Sequence, residues 1–178
     1  MLGKRNVFLV GPMGSGKTAV GKALAQILGL PFHDSDREIE RRTGVDIPFI
    51  FEKEGESGFR DRECEAIEAL TQCEPLVLAT GGGAVLRPEN RRALAERGCV
   101  VYLETSVDQL VTRVSRGQTR PLLKDVEPRQ KLEQLMIDRA PLYAEVADLV
   151  VATDGRRVRS VAEQIARILP RTREHPEG

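Results

Sequence analysis

The segment Gly11-Pro-Met-Gly-Ser-Gly-Lys-Thr18 constrains the fold of this chain more than any other feature of its sequence. It matches the pattern G-x-x-x-x-G-K-S/T, which belongs between a buried strand and the first turn of a helix. Residues 7–10 form an apolar run before it, and residues 20–28 repeat apolar side chains at helical spacing after it. The sequence therefore predicts a strand, a phosphate-binding loop and a helix, in that order.

The residue types of this loop predict how it holds a nucleotide. Glycines let successive backbone N–H groups converge on phosphates, and the positive end of the following helix dipole favours the same anions. Lys17 supplies a cation, and the hydroxyl of Thr18 is suited to bind the Mg²⁺ that accompanies ATP. An accidental glycine-rich turn is the alternative, and the flanking strand and helix argue against it. The residues predicted to contact ATP here are Gly14, Ser15, Gly16, Lys17, Thr18 and Ala19.

Five apolar runs of strand length alternate with segments of helical periodicity along the chain. This alternation predicts a three-layer α/β/α sandwich with a central five-stranded parallel sheet, whose ligands bind beyond the carboxyl ends of the strands. Gly29 is expected to end the first helix and Ser106 to cap a later one. The runs cover residues 7–10, 30–33, 76–79, 99–103 and 149–151.

Length and composition predict one domain. The chain has 178 residues, and we assign residues 1–170 to a single P-loop domain and residues 171–178 to a disordered tail. Within the domain, residues 35–73 are expected to form a substrate-binding insertion. The charged, Gly- and Pro-containing residues 115–128 are expected to form a lid over the site.

Charge and cysteine content narrow the class of partner. Twenty-seven basic residues balance twenty-seven acidic ones. The chain therefore lacks the net positive electrostatic field that proteins binding nucleic acids or anionic membranes normally carry. Cys64, Cys73 and Cys99 lack the spacing of a metal or redox motif, so we interpret them as reduced packing residues. We expect a cytoplasmic monomer that binds a small molecule, with no nucleic-acid partner and no membrane partner.

Polar and glycine-rich segments follow two of the predicted strands. Asp34 and Asp36 follow the second apolar run, at the carboxyl end of the predicted strand, where carboxylates would project into the same cleft as the phosphates. One suits a metal-bound water and the other a hydroxyl of the phosphoryl acceptor, whereas capping of the next helix is the alternative. Thr80-Gly-Gly-Gly83 follows the third run, where the backbone of Gly81 and Gly82 can approach a ligand closely. A plain flexible loop is the alternative there.

Three arginines are candidates for binding an anionic acceptor or the phosphates. Arg60 lies between Phe59 and Glu63 in a helical segment, and a planar guanidinium is suited to grip a carboxylate with two hydrogen bonds. Arg139 lies on a helical segment whose apolar stripe would turn it toward the cleft. Arg120, within the predicted lid, could stabilise charge on the transferred group, and a solvated surface arginine is the alternative.

In order and spacing these motifs resemble those of the shikimate kinases, small relatives of the nucleoside monophosphate kinases. The resemblance runs from about residue 6 to residue 169. It implies transfer of the γ-phosphoryl group of ATP to the 3-hydroxyl of shikimate, giving 3-phosphoshikimate and ADP on the route to chorismate and the aromatic amino acids. It rests on the phosphate loop, Asp34-Ser-Asp36, Phe59-Arg60 with Glu63, Thr80-Gly-Gly-Gly83, Arg120-Pro-Leu-Leu123 and Arg139-Ala-Pro-Leu-Tyr143.

The resemblance also implies roles for the matching residues. Arg60 and Arg139 would hold the carboxylate of shikimate, while Asp36 and the Gly82 backbone would hold its ring hydroxyls. Asp36 is the candidate base. The implied catalytic residues are Lys17, Asp34, Asp36 and Arg120, and the implied metal site is Thr18 with Asp34. Arg113, Arg120 and Arg156 would complete the ATP site, and Phe59, Glu63 and Gly81 the shikimate site.

Two other kinds of function stay open on the sequence alone. The nearest is another small-molecule kinase of the same fold, acting on gluconate or a nucleoside monophosphate. The other is a nucleotide-binding switch or a kinase-like module that has lost catalysis. A guanine-specific Asn/Thr-Lys-x-Asp motif is absent from the sequence, and Lys17, Asp36 and Arg120 are all present, so the nucleotide switch and the inactive module are disfavoured.

Overall fold

A five-stranded parallel sheet lies at the centre of the computed structural model, which describes residues 6–73, 75–116 and 127–170. Neighbouring strands pair in the order β2-β3-β1-β4-β5, and every pair is parallel. The predicted five-stranded parallel sheet is therefore confirmed. The strands are β1 (Asn6–Val10), β2 (Phe32–Asp34), β3 (Val77–Ala79), β4 (Gly98–Glu104) and β5 (Leu149–Ala152).

Helices cover both faces of this sheet, as the predicted three-layer sandwich requires. A single 3₁₀ turn, Ala84–Leu86, precedes the fourth α-helix of the described residues. The α-helices are α1 (Lys17–Leu28), α2 (Ser35–Thr43), α3 (Ile47–Thr71), α4 (Pro88–Arg97), α5 (Val107–Ser115), α6 (Pro128–Val146) and α7 (Val158–Ile168).

Strand β1 separates two hydrophobic cores, one on each face of the sheet. Val7 and Leu9 pack with residues of α1 and α7, whereas Phe8 and Val10 pack with residues of α3, α4 and α6. Successive side chains of a strand point to opposite faces, so a strand buried on both faces reads as an unbroken apolar run. The core pattern thus explains why the central strand is recognisable in the sequence.

The boundary between α1 and β2 differs slightly from the prediction. Gly29 ends α1 with a left-handed φ of 66°, as expected, and the N–H of Leu30 still donates to the carbonyl of Ala25. Pro31 follows and has no N–H for a sheet ladder. For these reasons β2 begins at Phe32 and not at residue 30.

Helix α3 is bent at Gly55. This glycine has φ 71° and ψ −177°, a backbone conformation that is almost closed to other residues. Arg62 donates two hydrogen bonds to the carboxylate of Glu54 across the bend, at 2.6 and 2.7 Å. Because of the bend, α2 and both halves of α3 enclose a separate small core around Ile39, Ile50 and Phe59.

Two further predictions concern the cysteines and the lid. Cys99 is buried in β4 and Cys64 is half-buried, but Cys73 is exposed beyond the end of α3, so its assignment as a packing residue is wrong. Most of the predicted lid (residues 117–126) and the predicted disordered tail (171–178) lie outside the described residues. Among the described helices, none is both long and apolar enough to span a membrane.

Candidate active site

The phosphate loop joins β1 to α1 and opens onto a cleft of about 430 Å³. Gly14 and Gly16 adopt positive φ angles of 82° and 92°, and no side chain caps the N-terminus of α1. The first N–H groups of a helix lack partners within the helix, so those of α1 remain available to an anion in the cleft. The cleft is lined by residues 13–20 of the loop and α1, together with Asp34, Asp36, Thr80, Gly81, Gly82, Arg113, Thr153, Arg156, Val158 and Val161.

Lys17 is folded into the phosphate loop. Its ammonium group donates to the carbonyl oxygens of Gly11 and Pro12 at 2.7 and 2.8 Å, and to the hydroxyl of Ser15 at 3.4 Å. The residue is buried, with 8% of its surface exposed. The positive charge is thus held at the floor of the cleft, where nucleotide phosphates would lie.

Asp34 connects the phosphate loop to the start of α2. One carboxylate oxygen accepts from the N–H of Asp36 at 2.9 Å, and the other accepts from the hydroxyl of Thr18 at 2.9 Å. The helix-capping alternative is therefore confirmed for one oxygen of Asp34, while the other oxygen faces Thr18 of the phosphate loop, where the predicted role beside a metal-bound water stays a prediction.

The pair formed by Thr18 and Asp34 fits a magnesium site. A hydroxyl and a carboxylate are hard oxygen ligands, and Mg²⁺ commonly takes one or two protein ligands and completes its shell with phosphate oxygens and water. The described residues contain no cluster of three or more His, Cys, Asp or Glu side chains that could hold a metal on their own. Any Mg²⁺ here would depend on the nucleotide for most of its ligands.

A second and smaller cavity, of about 70 Å³, adjoins the cleft. Met13, Asp36, Gly81 and Gly82 line both cavities, so a molecule in the smaller one would face the phosphates across these residues. The rest of its wall comes from α3, the glycine loop and α6, through Ile47, Phe51, Phe59, Arg60, Glu63, Gly83 and Arg139.

A buried ion pair forms one side of the smaller cavity. Arg60 donates to Glu63 at 2.8 Å, and the side chains are 7% and 0% exposed. Burial raises the pKa of Glu63, and the positive charges of Arg60 and Arg139 offset part of that rise. Within the described residues, Arg60 Nε and Glu63 Oε2 have no hydrogen-bond partner. These two buried polar atoms are therefore left for a ligand or an ordered water.

The glycine loop, residues 80–83, allows this crowding. A β-carbon at Gly83 would overlap the guanidinium group of Arg60. At Gly81 it would lie 2.7 Å from Glu63 Oε2 and 2.9 Å from Asp36 Oδ1, so the two carboxylates are near neighbours. The interpretation of these residues as a plain flexible loop is not supported, because their backbone is packed against three charged side chains.

Two of the three arginines predicted for the ATP site are described, and both line the larger cleft. Arg113 on α5 donates to the carbonyl of Gly14 at 2.7 Å. Arg156 donates to the carbonyl of Ala152 at 3.0 Å and also to Gln164. The third, Arg120, lies outside the described residues.

The structure adds residues that the sequence analysis did not select. The buried hydroxyl of Ser35 accepts from the N–H of Gly81 at 3.0 Å, and the hydroxyl of Tyr143 donates to the carbonyl of Gly82 at 2.5 Å. Ser35 lies inside the Asp34-Ser-Asp36 motif, which was a usable signal. Met13, Ile47 and Phe51 line the smaller cavity as ordinary apolar residues, and nothing in their local sequence marks them.

Sequence comparison gives the family. A sequence model described as shikimate kinase matches residues 13–170. A curated shikimate kinase from Nitrosococcus oceani is 57% identical over 92% of this chain and 86% of its own length. The chain belongs to the shikimate kinase family. A second curated shikimate kinase, from Shewanella woodyi, is 53% identical over 93% of this chain and 96% of its own length.

Solved structures of shikimate kinases share the fold as well as the sequence. One from Acinetobacter baumannii, in complex with shikimate, has a TM-score of 0.91 and 51% identity, over 93% of each chain. One from Aquifex aeolicus has a TM-score of 0.79 and 34% identity, over 90% of this chain and 94% of that one. A gluconokinase from Sinorhizobium meliloti reaches 0.54 at 16% identity, which shows a common fold only. The predicted family, fold and ATP-dependent kinase activity are confirmed.

Proposed function

We propose that this shikimate kinase binds ATP in the larger cleft and shikimate in the smaller cavity, and transfers the γ-phosphoryl group to the 3-hydroxyl. The observation that carries this proposal is the junction between the two cavities. Asp36 and Gly82 line both of them. An acceptor hydroxyl at this junction would lie between a carboxylate and the phosphates, as in-line transfer requires.

Arg60 and Arg139 are proposed to hold the carboxylate of shikimate. Both are buried, at 6% and 5% exposure, and both line the smaller cavity. Two guanidinium groups in a site with little water suit one small anion, because charge-assisted hydrogen bonds are strong there. Glu63 would orient Arg60 through Nη1 and leave its Nε group for the ligand. Phe59 and Gly81 would complete the wall of this site.

Asp36 is proposed to hold the 3-hydroxyl and to accept its proton. It is the second residue of α2, and the cap by Asp34 fixes its backbone. A carboxylate within reach of the attacking oxygen orients it and takes up its proton as the bond to phosphorus forms. We assign the hydrogen bonds to the other ring hydroxyls to Asp36 and the backbone of Gly82.

The phosphates are proposed to bind the N–H groups at the start of α1, with Lys17 as their cation. Residues Gly14, Ser15, Gly16, Thr18 and Ala19 line that part of the cleft. Thr18 and Asp34 would hold Mg²⁺, directly or through its water, and the ion would neutralise charge on the terminal phosphates. Arg113 and Arg156 would border the adenine. Arg120, with the proposed lid, would cover the transferred group.

We also propose that residues 1–170 form a single domain in which α2 and α3 serve as the substrate-binding insertion. Their small core around Ile39 and Phe59 lies apart from the two cores of the sheet. Balanced charge is consistent with a cytoplasmic enzyme that has neither a nucleic-acid nor a membrane partner. We also propose that the enzyme is a monomer.

A coupled assay of ADP release tests this proposal. Shikimate, gluconate, AMP and no acceptor would be compared with ATP and Mg²⁺, for the wild type, Asp36→Asn and Asp46→Asn. Of the acceptors tested, we expect only shikimate to support ADP release by the wild type. The kcat should fall by about 10²- to 10⁴-fold in Asp36→Asn and should not change in Asp46→Asn. Asp46 is the matched control, since its carboxylate caps α3 by accepting from Phe49. Release with gluconate or AMP in place of shikimate would refute the proposed acceptor.

A further inference from the structure

Tyr143 connects α6 to Gly82 of the glycine loop, a residue that lines the smaller cavity. Its side chain is fully buried, and its ring packs against that of Tyr102 with centroids 5.1 Å apart. Its hydroxyl donates to the carbonyl oxygen of Gly82 at 2.5 Å. A buried tyrosine hydroxyl usually has a hydrogen-bond partner. Here the partner is the carbonyl of a residue that lines the smaller cavity.

Gly82 is the point where three parts of the site meet. A β-carbon there would lie 3.1 Å from the backbone nitrogen of Met13 in the phosphate loop and 3.7 Å from Arg139 Nη1. Arg139 and Tyr143 are one turn apart on α6, so they share one face of that helix. The guanidinium group and the phenol thus both approach Gly82 from α6.

We propose that Tyr143 is a positioning residue for the acceptor. Its hydrogen bond fixes the peptide between Gly82 and Gly83, and thereby sets the distance from the glycine loop to Arg139 and Arg60. This proposal rests on the proposed function, in which these arginines and the Gly82 backbone bind shikimate. Tyr143 itself need not touch the substrate, and its loss should weaken the binding of shikimate while leaving the binding of ATP unchanged.

The hydroxyl is well suited to this task. Burial raises the pKa of Tyr143 well above its usual range, with a smaller opposing effect of Arg139. The phenol therefore remains a donor throughout the pH range in which the enzyme works. A phenylalanine would keep the packing on Tyr102 but leave the carbonyl of Gly82 without this partner.

The test compares Tyr143→Phe with Tyr102→Phe. The control removes the same atom from the adjacent ring and leaves the bond to Gly82 in place. For Tyr143→Phe we expect the KM for shikimate to rise about tenfold and the KM for ATP to stay within about twofold. Tyr102→Phe should match the wild type in both. A folded Tyr143→Phe enzyme with an unchanged KM for shikimate, or with equal rises in both KM values, would overturn the proposal.

A second measurement covers the case in which Tyr143→Phe does not fold. The chain has two tyrosines and no tryptophan, so the Tyr102→Phe protein reports on Tyr143 alone. Shikimate, added without nucleotide, should perturb its ultraviolet absorption, and a spectrum that stays unchanged at saturation would count against the proposal.

The two hypotheses fail in different ways. If the wild type does not phosphorylate shikimate, the proposed function fails, and this inference fails with it. If the wild type does so and Tyr143→Phe behaves like Tyr102→Phe, only the inference fails.

Discussion

The two halves of the active site are built by different means. Where the phosphates are proposed to bind, the nucleotide half is mostly backbone from one continuous segment between β1 and α1, and its helix N-terminus has no side-chain cap. The acceptor half is mostly side chains, brought together from α2, α3, the glycine loop and α6. The first half depends on local conformation, whereas the second depends on long-range packing around a buried ion pair.

This difference has an energetic consequence. Backbone N–H groups at a helix start need no charged partner in the free protein, since water can reach them in an open cleft. In contrast, Arg60 and Glu63 are almost fully removed from water and pair at 2.8 Å, with the half-exposed Glu56 as a second and longer partner of Arg60 at 3.4 Å. Truncating one member of such a pair leaves an uncompensated buried charge. Substitutions in the acceptor half should therefore affect folding and binding together.

The largest effect is expected for Arg60→Ala. The substitution leaves Glu63 buried without its hydrogen-bonded cation, so the free energy of unfolding should fall by about 3–5 kcal/mol. The KM for shikimate should rise about 100-fold, and the KM for ATP should change little. Urea unfolding and steady-state kinetics measure the two effects.

Arg62→Ala is the matched control for Arg60→Ala. Arg62 lies on the same helix and pairs with Glu54 at 2.6 Å, but both side chains are more than a third exposed. Its loss should cost at most about 1 kcal/mol of stability and leave both KM values unchanged. Equal losses of stability in the two variants would contradict the distinction between a buried and an exposed pair.

A smaller effect is expected for Gly83→Ala. The added β-carbon would overlap the guanidinium group of Arg60 and displace it. The KM for shikimate should rise about tenfold, and stability should fall by about 1–3 kcal/mol. Gly29→Ala is the control, since Gly29 has φ 66° and open space around it. That change should cost about 1–2 kcal/mol through backbone strain without altering kinetics. Unchanged shikimate kinetics in Gly83→Ala would show that Arg60 has room to move.

The smallest effect concerns how stability depends on pH. This dependence should have opposite signs for a buried carboxylate and for a less buried one. Hydrogen bonds from Arg41 and Arg42 lower the pKa of Glu38 from its ordinary value of 4.5 to about 2. Its contribution to stability is therefore present above pH 4.5 and lost as pH falls toward 2. Burial instead raises the pKa of Glu63. Its contribution is full below pH 4.5 and declines as pH rises through the raised pKa.

Urea unfolding measures both pH dependences. The wild type, Glu38→Gln and Glu63→Gln would be compared from about pH 3 to about pH 8. Glu38→Gln should lose about 1 kcal/mol at neutral pH, and this loss should shrink as the solution is acidified. Glu63→Gln should lack the decline in stability that the wild type shows above pH 4.5. Parallel stability curves for the wild type and both variants would refute the assigned shifts.

The nucleotide half could be predicted from the sequence because its determinants are local. Glycine torsions, a preceding apolar strand and a following amphipathic helix all lie within residues 7–28, and the phosphate loop has the predicted form. Asp34 was also selected, with both of its interpretations left open. Only the folded structure shows that one oxygen caps α2 while the other accepts from Thr18.

The acceptor half could be predicted only in part. Arg60, Glu63 and Arg139 were selected by type and by resemblance, but the burial of the ion pair depends on contacts between distant segments. The bend at Gly55 was not foreseen, because one glycine within a helical pattern does not reveal its φ angle. Tyr143 was quoted only as the end of a motif, since its acceptor, Gly82, lies 61 positions earlier in the chain.

The position of Lys17 has a consequence for how its variants are understood. Its ammonium group holds the carbonyl of Pro12, and a trans peptide directs its N–H opposite to its C=O. The N–H of Met13 shares that peptide and so faces away from the lysine, and its nitrogen borders Gly82 in the acceptor half. Replacing Lys17 would therefore remove a charge and also one of the two hydrogen bonds that hold this carbonyl, the other coming from the N–H of Ser15 at 3.2 Å. Reduced affinity for the acceptor in such a variant would report the shape of the loop, because Lys17 itself does not line the smaller cavity.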